Sequence, residues 1–207
     1  MSRPEGERIF VAMPSFDGMC TTGLAHLCYE FGRESDKFVV ARLDGVKGIP
    51  AARNFLTEKF LESDCDRIWF LDDDVIPPDN LAELLHVEGD IVGATYRCLQ
   101  KGLTGATSIQ RMPPDLPDKG VHPVAYVPFG SVLIDRRVFE DEKMLLGPAN
   151  WYREVLDSQW NMMISDDVDF CSRASEAGYD TVCVAHVEFG HKKLVDLNVV
   201  AHEVIKV

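Results

Sequence analysis

Three consecutive aspartates follow an apolar run in the segment IWFLDDDVIPP, residues 68–78. Such a run is typical of a strand buried on both faces, which cannot continue through three like charges, and the two prolines then end the ladder. Neighbouring carboxylates repel one another unless a positive charge lies among them, and their oxygens suit Mg²⁺ and Mn²⁺. Asp72, Asp73 and Asp74 therefore predict a divalent-cation site, with a solvated acidic loop as the alternative.

A second acidic cluster and a histidine lie further along the chain. Asp166, Asp167 and Asp169 occur where Asp166 can cap a helix, and the dipole at a helix N-terminus stabilises ionised carboxylates. Capping alone is the alternative explanation. His191 follows a predicted strand in VEFGH, either as a ligand or as an ordinary packed residue. Because Mg²⁺ and Mn²⁺ are often held by one or two carboxylates plus substrate phosphate, the pattern suggests a metal held for a phosphorylated substrate.

Alternating strands and helices are expected to position these side chains. Segments 8–14, 38–43 and 68–71 predict strands, and apolar residues at helical spacing predict helices over 24–31, capped by Thr21 or Thr22, and 51–60. This alternation indicates an α/β fold with a central mixed, mostly parallel sheet flanked by helices. Ligands of such sheets collect at the carboxyl ends of the strands, where the aspartates of 72–74 lie.

The second half of the chain is less regular. We expect a short helix over 80–86, a strand over 90–97, a long loop over 100–120, two strand-like pieces around Gly130, and a helix from 166 to Gly178 followed by a strand. We interpret the whole chain as one domain, with halves at 8–97 and 98–191 and a tail at 192–207.

Composition restricts the kinds of partner. The 34 acidic and 21 basic residues give a formal net charge of −13, which argues against a nonspecific nucleic-acid or anionic-membrane surface. The N-terminal residues lack the apolar core of a signal peptide, and no run has the length of a membrane span, so a cytoplasmic location is predicted. The six cysteines are scattered without a C-x-x-C pair, which favours reduced thiols.

The order of the motifs resembles that of GT-A glycosyltransferases, especially the family 2 type. The motifs are AARN (51–54), FLDDDV (70–75), DIVGATYR (90–97), FGSVLIDRRVF (129–139), SDDVDFCSRASEAGYDT (165–181) and VEFGH (187–191). The resemblance spans most of the chain from Arg8 to His191. It implies a metal-dependent transferase that moves a sugar from a nucleotide-diphosphate sugar to an acceptor hydroxyl.

The resemblance also implies roles for individual residues. Asp74 is expected to bind Mn²⁺ or Mg²⁺ together with His191, and Asp72 to contact the metal or the donor ribose. The predicted nucleotide-binding residues are Arg53, Asn54, Asp44, Asp72 and Asp73. Asp167 matches the catalytic base of inverting members, although the SDD sequence leaves open whether Asp166 serves instead, or whether the mechanism is retaining. UDP- or GDP-sugars are the expected donors.

The acceptor is the least defined part of this hypothesis. Gly130, Ser131, Trp151, Tyr152 and Trp160 are candidates, and the aromatic rings either stack on an acceptor or pack a lid or the core. Two other functions compete with glycosyl transfer: an Mg²⁺-dependent phosphohydrolase of the haloacid dehalogenase type, with Asp72 as its nucleophile, and a sugar-nucleotide binder without catalysis. The sequence leaves a homo-oligomer open.

Overall fold

A mixed sheet, built around the most apolar stretch of the chain, forms the centre of the structure. The structure is a computed structural model that describes residues 6–101, 107–158 and 162–192. Its strands are β1 (Ile9–Ser15), β2 (Phe38–Asp44), β3 (Arg67–Leu71), β4 (Val75–Ile76), β5 (Ile91–Lys101), β6 (Thr107–Met112), β7 (Val121–Pro123), β8 (Ser131–Asp135), β9 (Val155–Asp157), β10 (Met162–Ile164) and β11 (Thr181–His191). Its helices are α1 (Thr22–Arg33), α2 (Ile49–Glu62), α3 (Arg136–Glu140) and α4 (Asp166–Ala177), with short 3₁₀ helices at Leu81–His86 and Glu142–Met144.

The strand order confirms the predicted fold class. Within the described residues the sheet runs β2-β1-β3-β8-β5-β11-β4, with β6 on β5 and β7 on β11. Strands β2, β1, β3, β5 and β11 point the same way, and β8 lies antiparallel between β3 and β5. The carboxyl ends of five core strands therefore meet at one edge. Strands β9 and β10 form a separate hairpin just before α4.

Alternate residues of β3 enter two apolar layers. Ile68 and Phe70 pack with residues of α2, α3 and α4, whereas Trp69 and Leu71 pack with residues of α1 and the first 3₁₀ helix. All five residues of β3 are buried, as its apolar run predicts. Both faces are thus covered, and functional side chains are left to the sheet edges. In the described part of the chain, every helix falls short of the length and apolarity of a membrane crossing.

Three local predictions are wrong. The loop expected over 100–120 instead begins with the end of β5 and contains β6, which pairs antiparallel with β5. Backbone pairing with β5 makes part of this Gly- and Pro-rich stretch a strand, and its composition does not predict that pairing. Of the two strand-like pieces around Gly130, only the second is a strand, β8, because residues 124–129 pass through the core without strand structure. The cap of α4 is Ser165, which leaves Asp166 and Asp167 in the first turn.

Candidate active site at the carboxyl edge of the sheet

The three aspartates form a tight turn between β3 and β4. The Asp72 N–H donates to the Gly130 carbonyl at 3.1 Å, and the Val75 N–H donates back to the Asp72 carbonyl at 3.3 Å. Two neighbouring elements also bond the turn: the Thr21 N–H donates to the Asp73 carbonyl at 3.1 Å, and the Lys192 N–H donates to the Asp74 carbonyl at 2.8 Å. The turn is therefore fixed by the start of α1, the end of β11 and the segment before β8.

Arg53 joins this turn to the start of α4. Its guanidinium, with a side-chain exposure of only 5%, donates to Asp166 Oδ2 at 2.6 Å and to Asp72 Oδ1 at 3.2 Å. Helix α2 carries Arg53 to this position and begins after Gly48, whose φ of 95° lies in the region that favours glycine. The two acidic motifs, which lie far apart in sequence, are thus linked through one buried cation.

Burial and neighbouring charges shift the pKa values of Arg53 and Asp72 in opposite directions. Burial alone would lower the pKa of Arg53, but the carboxylates of Asp72 and Asp166 raise it above its ordinary value. Burial raises the pKa of Asp72, while the Arg53 charge opposes that shift. Arg53 therefore stays protonated, and each carboxylate is partly neutralised by its contact with the guanidinium.

Asp74 and His191 provide the pair of side chains best suited to a metal. Asp74 Oδ2 lies 3.1 Å from His191 Nε2, and the Tyr96 ring packs edge-on against the imidazole, with a centroid distance of 4.9 Å. The antiparallel pairing of β11 with β4 sets His191 opposite Val75, next to Asp74. The third predicted ligand, Asp72, directs Oδ1 to Arg53 instead.

The donor set of this pair fits a divalent cation that is completed by substrate. A carboxylate oxygen and an imidazole nitrogen are suitable ligands for Mn²⁺, and the buried His191 Nδ1 has no hydrogen-bond partner among the described residues. Across residues 6–101, 107–158 and 162–192, no group of three His, Cys, Asp or Glu side chains is arranged to hold a metal. Two protein ligands leave the other coordination positions to substrate oxygens and water, as is common for such ions.

A cleft of about 330 Å³ opens beside the aspartate turn. Its lining residues are Phe16, Asp17, Met19, Cys20, Thr21, Asp73, Asp74 and Lys192. Most come from the loop between β1 and α1, to which sequence reasoning gave no role. The Phe16 side chain is 64% exposed although it is a large apolar residue directly after a buried strand. That combination could have marked the loop as a binding element, since loops at this edge carry ligand contacts.

Asn54 and Asp44 are held in ways that differ from each other. The Asn54 amide nitrogen donates to Asn150 Oδ1 at 2.7 Å and to the Tyr152 carbonyl at 3.1 Å. Its oxygen accepts from the N–H groups of Trp151, at 2.7 Å, and Tyr152, at 3.0 Å. All four hydrogen-bonding positions of the amide are used, and they tie α2 to this segment. Asp44 is exposed at the end of β2 and pairs with Arg42 at 2.6 Å.

The two aspartates at the start of α4 have different surroundings. Asp166 is buried against Arg53, with a residue exposure of 5%. Asp167 is more exposed, and its Oδ1 accepts from the Ser165 hydroxyl and, at 2.8 Å, from the Val168 N–H. Asp169 is occupied by Arg153 and Arg173. The arrangement leaves Asp167 as the aspartate of this turn that lies nearest to solvent.

The predicted acceptor residues are placed mostly in the core. Trp151 and Tyr152 are 4% and 1% exposed, and Tyr152 stacks on Phe170 with a centroid distance of 4.8 Å. These rings offer no free face to an acceptor, which corrects that expectation in favour of core packing. Ser131 is also buried and accepts from the Trp69 indole at 3.2 Å.

Gly130 and Trp160 are the remaining predicted acceptor residues. Gly130 supports the aspartate turn through its carbonyl, and a Cβ at this position would approach the Tyr96 ring to 3.2 Å. Trp160, and all of the predicted tail except Lys192, lie outside the described residues.

Comparison with solved structures identifies the fold. A197 from STIV superposes with a TM-score of 0.57 at 18% identity, covering 91% of this chain and 86% of A197. GalNAc-T7, crystallised with UDP, GalNAc and Mn²⁺, gives 0.56 at 12% identity over 91% of this chain. TarS residues 1–349 from S. aureus gives 0.50 at 13% identity over 89% of this chain. GalNAc-T7 and TarS are GT-A glycosyltransferases. The chain has the GT-A fold.

This result confirms the resemblance inferred from the motifs at the level of fold. No model of a known protein family matches the sequence, and no curated protein matches it significantly. The chain spans 44% of the GalNAc-T7 chain and 60% of the TarS chain. Activity is therefore argued from the site geometry rather than from these neighbours.

Proposed function

We propose that the protein is a metal-dependent glycosyltransferase that moves a sugar from a nucleotide-diphosphate sugar to an acceptor hydroxyl. The observation that carries the proposal is the Arg53 bridge between Asp72 and Asp166, which joins the aspartate turn to the first turn of α4. The bridge lies beside the Asp74–His191 pair, which suits a metal for donor binding, and beside Asp167, which suits proton removal. GalNAc-T7, which shares the fold, was crystallised with UDP, GalNAc and Mn²⁺.

Donor binding is assigned to the cleft beside the aspartate turn. Asp74 and His191 would hold Mn²⁺ or Mg²⁺, which supplies Lewis-acid stabilisation of the charge that grows on a departing diphosphate. Lys192 lines the same cleft and adds a positive charge near that diphosphate. The exposed Phe16 ring gives a nucleobase a face on which to stack. UDP- and GDP-sugars remain the preferred donors, with Asp44 and Asp73 as further polar contacts.

Asp167 is assigned the role of general base. The acceptor oxygen attacks the anomeric carbon while the bond from that carbon to the diphosphate oxygen breaks, and Asp167 takes the acceptor proton. Asp167 lies in the first turn of α4 and is less buried than Asp166. Asp166 is less suited because Arg53 already binds it. Direct displacement of this kind inverts the configuration at the anomeric carbon.

The first experiment measures thermal stability with UDP, GDP, dTDP, CDP and ADP, each with and without Mn²⁺. A nucleotide at about 100 times its dissociation constant should add roughly 2.7 kcal/mol to the free energy of unfolding. We expect one nucleotide to stabilise the protein strongly only when Mn²⁺ is present. Asp74→Asn should remove that effect, whereas Asp36→Asn, at an exposed turn residue remote from the site, should retain it.

Other outcomes of this experiment favour the competing functions. Stabilisation by Mg²⁺ with a phosphate mimic, but by none of the nucleotides, would support the phosphohydrolase. That function is disfavoured by position, because its motif normally opens the domain whereas Asp72 follows the third strand. Metal-dependent nucleotide binding without donor turnover, with or without candidate acceptors, would support the non-catalytic binder.

A further inference from the structure

Thr21 bonds the aspartate turn more extensively than a helix cap requires. Its hydroxyl accepts from the Leu24 N–H at 3.2 Å, which is the capping bond of α1. The same hydroxyl donates to the Val75 carbonyl at 2.6 Å, and the Thr21 N–H donates to the Asp73 carbonyl at 3.1 Å. Thr21 is 8% exposed, so these bonds are shielded from water. The residue therefore clamps the start of α1 to both sides of Asp74.

The chemistry of this clamp restricts the residue that can fill the position. Only a hydroxyl can accept from the Leu24 N–H and donate to the Val75 carbonyl at once, so serine can replace threonine here and valine cannot. The bonds of the turn with Gly130 and Lys192 join backbone groups, and those with Arg53 and His191 involve the carboxylates of Asp72 and Asp74. Thr21 thus contributes a side-chain bond to the turn, and substitution can remove that bond without altering any carboxylate.

We propose that Thr21 is a positioning residue that sets the affinity of the aspartate turn for its divalent cation, an inference that rests on the function proposed above. Asp74 lies between the two carbonyls that Thr21 holds, and its Oδ2 must stay aligned with His191 Nε2, 3.1 Å away. Partners that orient metal ligands without touching the metal typically contribute about 10–100-fold to metal affinity. Loss of the hydroxyl bond to the Val75 carbonyl loosens the turn relative to His191, although the backbone bond to Asp73 remains.

The test compares Thr21→Val with Thr21→Ser by titrating Mn²⁺ calorimetrically in the presence of whichever nucleoside diphosphate stabilises the wild type. We expect Thr21→Val to weaken Mn²⁺ binding about tenfold or more. Thr21→Ser keeps the hydroxyl and should remain within about threefold of wild type, because both bonds persist. Ser63→Ala is the matched control. The Ser63 hydroxyl also donates to a carbonyl, of Phe60 at 2.6 Å, and accepts from the Cys65 N–H at 3.2 Å, at the C-terminal end of a different helix, α2. The Ser63→Ala substitution should lower thermal stability without changing Mn²⁺ affinity.

The outcomes separate this inference from the proposed function. If the wild type binds Mn²⁺ with nucleotide and folded Thr21→Val binds it equally well, the positioning role is refuted and the proposed function stands. If the wild type binds neither, both fail. A loss of Mn²⁺ affinity in Ser63→Ala equal to that in Thr21→Val would attribute the effect to general destabilisation and also refute the role. Should Thr21→Val not fold, Thr21→Ala is judged by the same criterion.

Discussion

Asp166 and Asp167 show how adjacent residues of one type come to lie in different surroundings. Asp166 faces inward and shares the buried Arg53 with Asp72, while Asp167 lies at the surface of the same helical turn. Sequence left the choice of base between them open. A carboxylate that must accept a proton from an acceptor has to be reachable by that acceptor, and the burial of Asp166 against Arg53 makes it an anchor instead.

We predict that Asp167→Asn lowers turnover by about 10²–10⁴-fold and spares donor binding. The amide cannot take the acceptor proton, and general-base catalysis is typically worth about 10²–10⁴-fold in rate. The measurement is release of nucleoside diphosphate from the donor sugar, alongside a binding titration of the nucleotide with Mn²⁺. Asp166→Asn should instead lower the free energy of unfolding. If Asp166→Asn loses turnover without losing stability while Asp167→Asn stays active, the two assignments are reversed.

We predict a large stability loss for Arg53→Met. Removing the guanidinium leaves Asp166 as a buried carboxylate without its cation and weakens the surroundings of Asp72, and breaking one side of such a buried pair costs about 3–5 kcal/mol. Urea denaturation measures the change. Arg53→Lys should fall between wild type and Arg53→Met, since an ammonium lacks the fork that reaches both partners. The double variant Arg53→Met with Asp166→Asn should recover part of the lost free energy of unfolding. A loss below about 1 kcal/mol for Arg53→Met would contradict the proposed stabilising role of the Arg53 network.

At the scale of elements, Asn54 connects α2 to the segment that leads into the β9–β10 hairpin. Its four hydrogen bonds reach three consecutive residues, 150–152, and Trp151 and Tyr152 are buried in the core. This connection fixes residues 150–152 upstream of α4, whose first turn contains Asp166 and Asp167. These contacts hold an element in place, whereas the resemblance to known transferases suggested a nucleotide contact, which stays a prediction.

Asn54→Ala should lower the free energy of unfolding by about 2–4 kcal/mol, because four hydrogen bonds at roughly 0.5–1.5 kcal/mol each are lost and partly non-additive. Nucleotide affinity in the folded variant should be unchanged. Thermal unfolding and a nucleotide titration check the two parts separately. Asn54→Asp retains the two accepted bonds but sets a carboxylate oxygen against Asn150 Oδ1 and the Tyr152 carbonyl, so it should lose at least as much stability as Asn54→Ala. A variant with normal stability and weakened nucleotide binding would return Asn54 to the donor site.

Sequence predicts the first half of this fold well because each element carries a local signal. The apolar run before Asp72 requires burial on both faces, and Thr21, one of the two candidate caps, begins α1 in the structure. In the second half, Gly178 likewise ends α4 as predicted. Strand β6 was missed because its order comes from pairing with β5, a partner that its own composition does not reveal. The cap of α4 was misplaced by one residue since serine and aspartate are about equally good at that position.

The candidate site was predicted in its parts rather than in its connections. Asp72, Asp74, Asp166 and His191 stand out by residue type and position, but the Arg53 bridge spans 113 residues to Asp166 and no periodicity encodes it. The cleft loop at Phe16 lacks a charged motif and was overlooked. Trp151 and Tyr152 were ambiguous because an aromatic residue in a loop-like stretch gives the same signal whether it stacks on a ligand or fills the core.

At the scale of the whole molecule, the formal net charge of −13 opposes the approach of a nucleotide diphosphate. Positive charge inside the cleft offsets this repulsion locally. Lys192 lies there with Asp73 and Asp74, and the proposed function adds a metal ion. The long-range field and the local contacts therefore act on different rates: the field slows encounter, and the local contacts slow release. This separation can be measured because salt screens distant charges more strongly than close ones.

We predict that raising NaCl from about 10 mM to about 150 mM, which shortens the Debye length from about 30 Å to about 8 Å, speeds nucleotide association a few-fold in the presence of Mn²⁺. The Mn²⁺-bound nucleotide diphosphate is still anionic, so screening reduces its repulsion by the acidic protein. Stopped-flow fluorescence with a labelled nucleotide measures the rate, and tetramethylammonium chloride in place of NaCl separates screening from competition by sodium. A rate that falls with salt would mean that the field at the mouth of the cleft is positive despite the net charge. The Lys192 side chain would then govern encounter as well as release, and Lys192→Gln should remove the salt dependence.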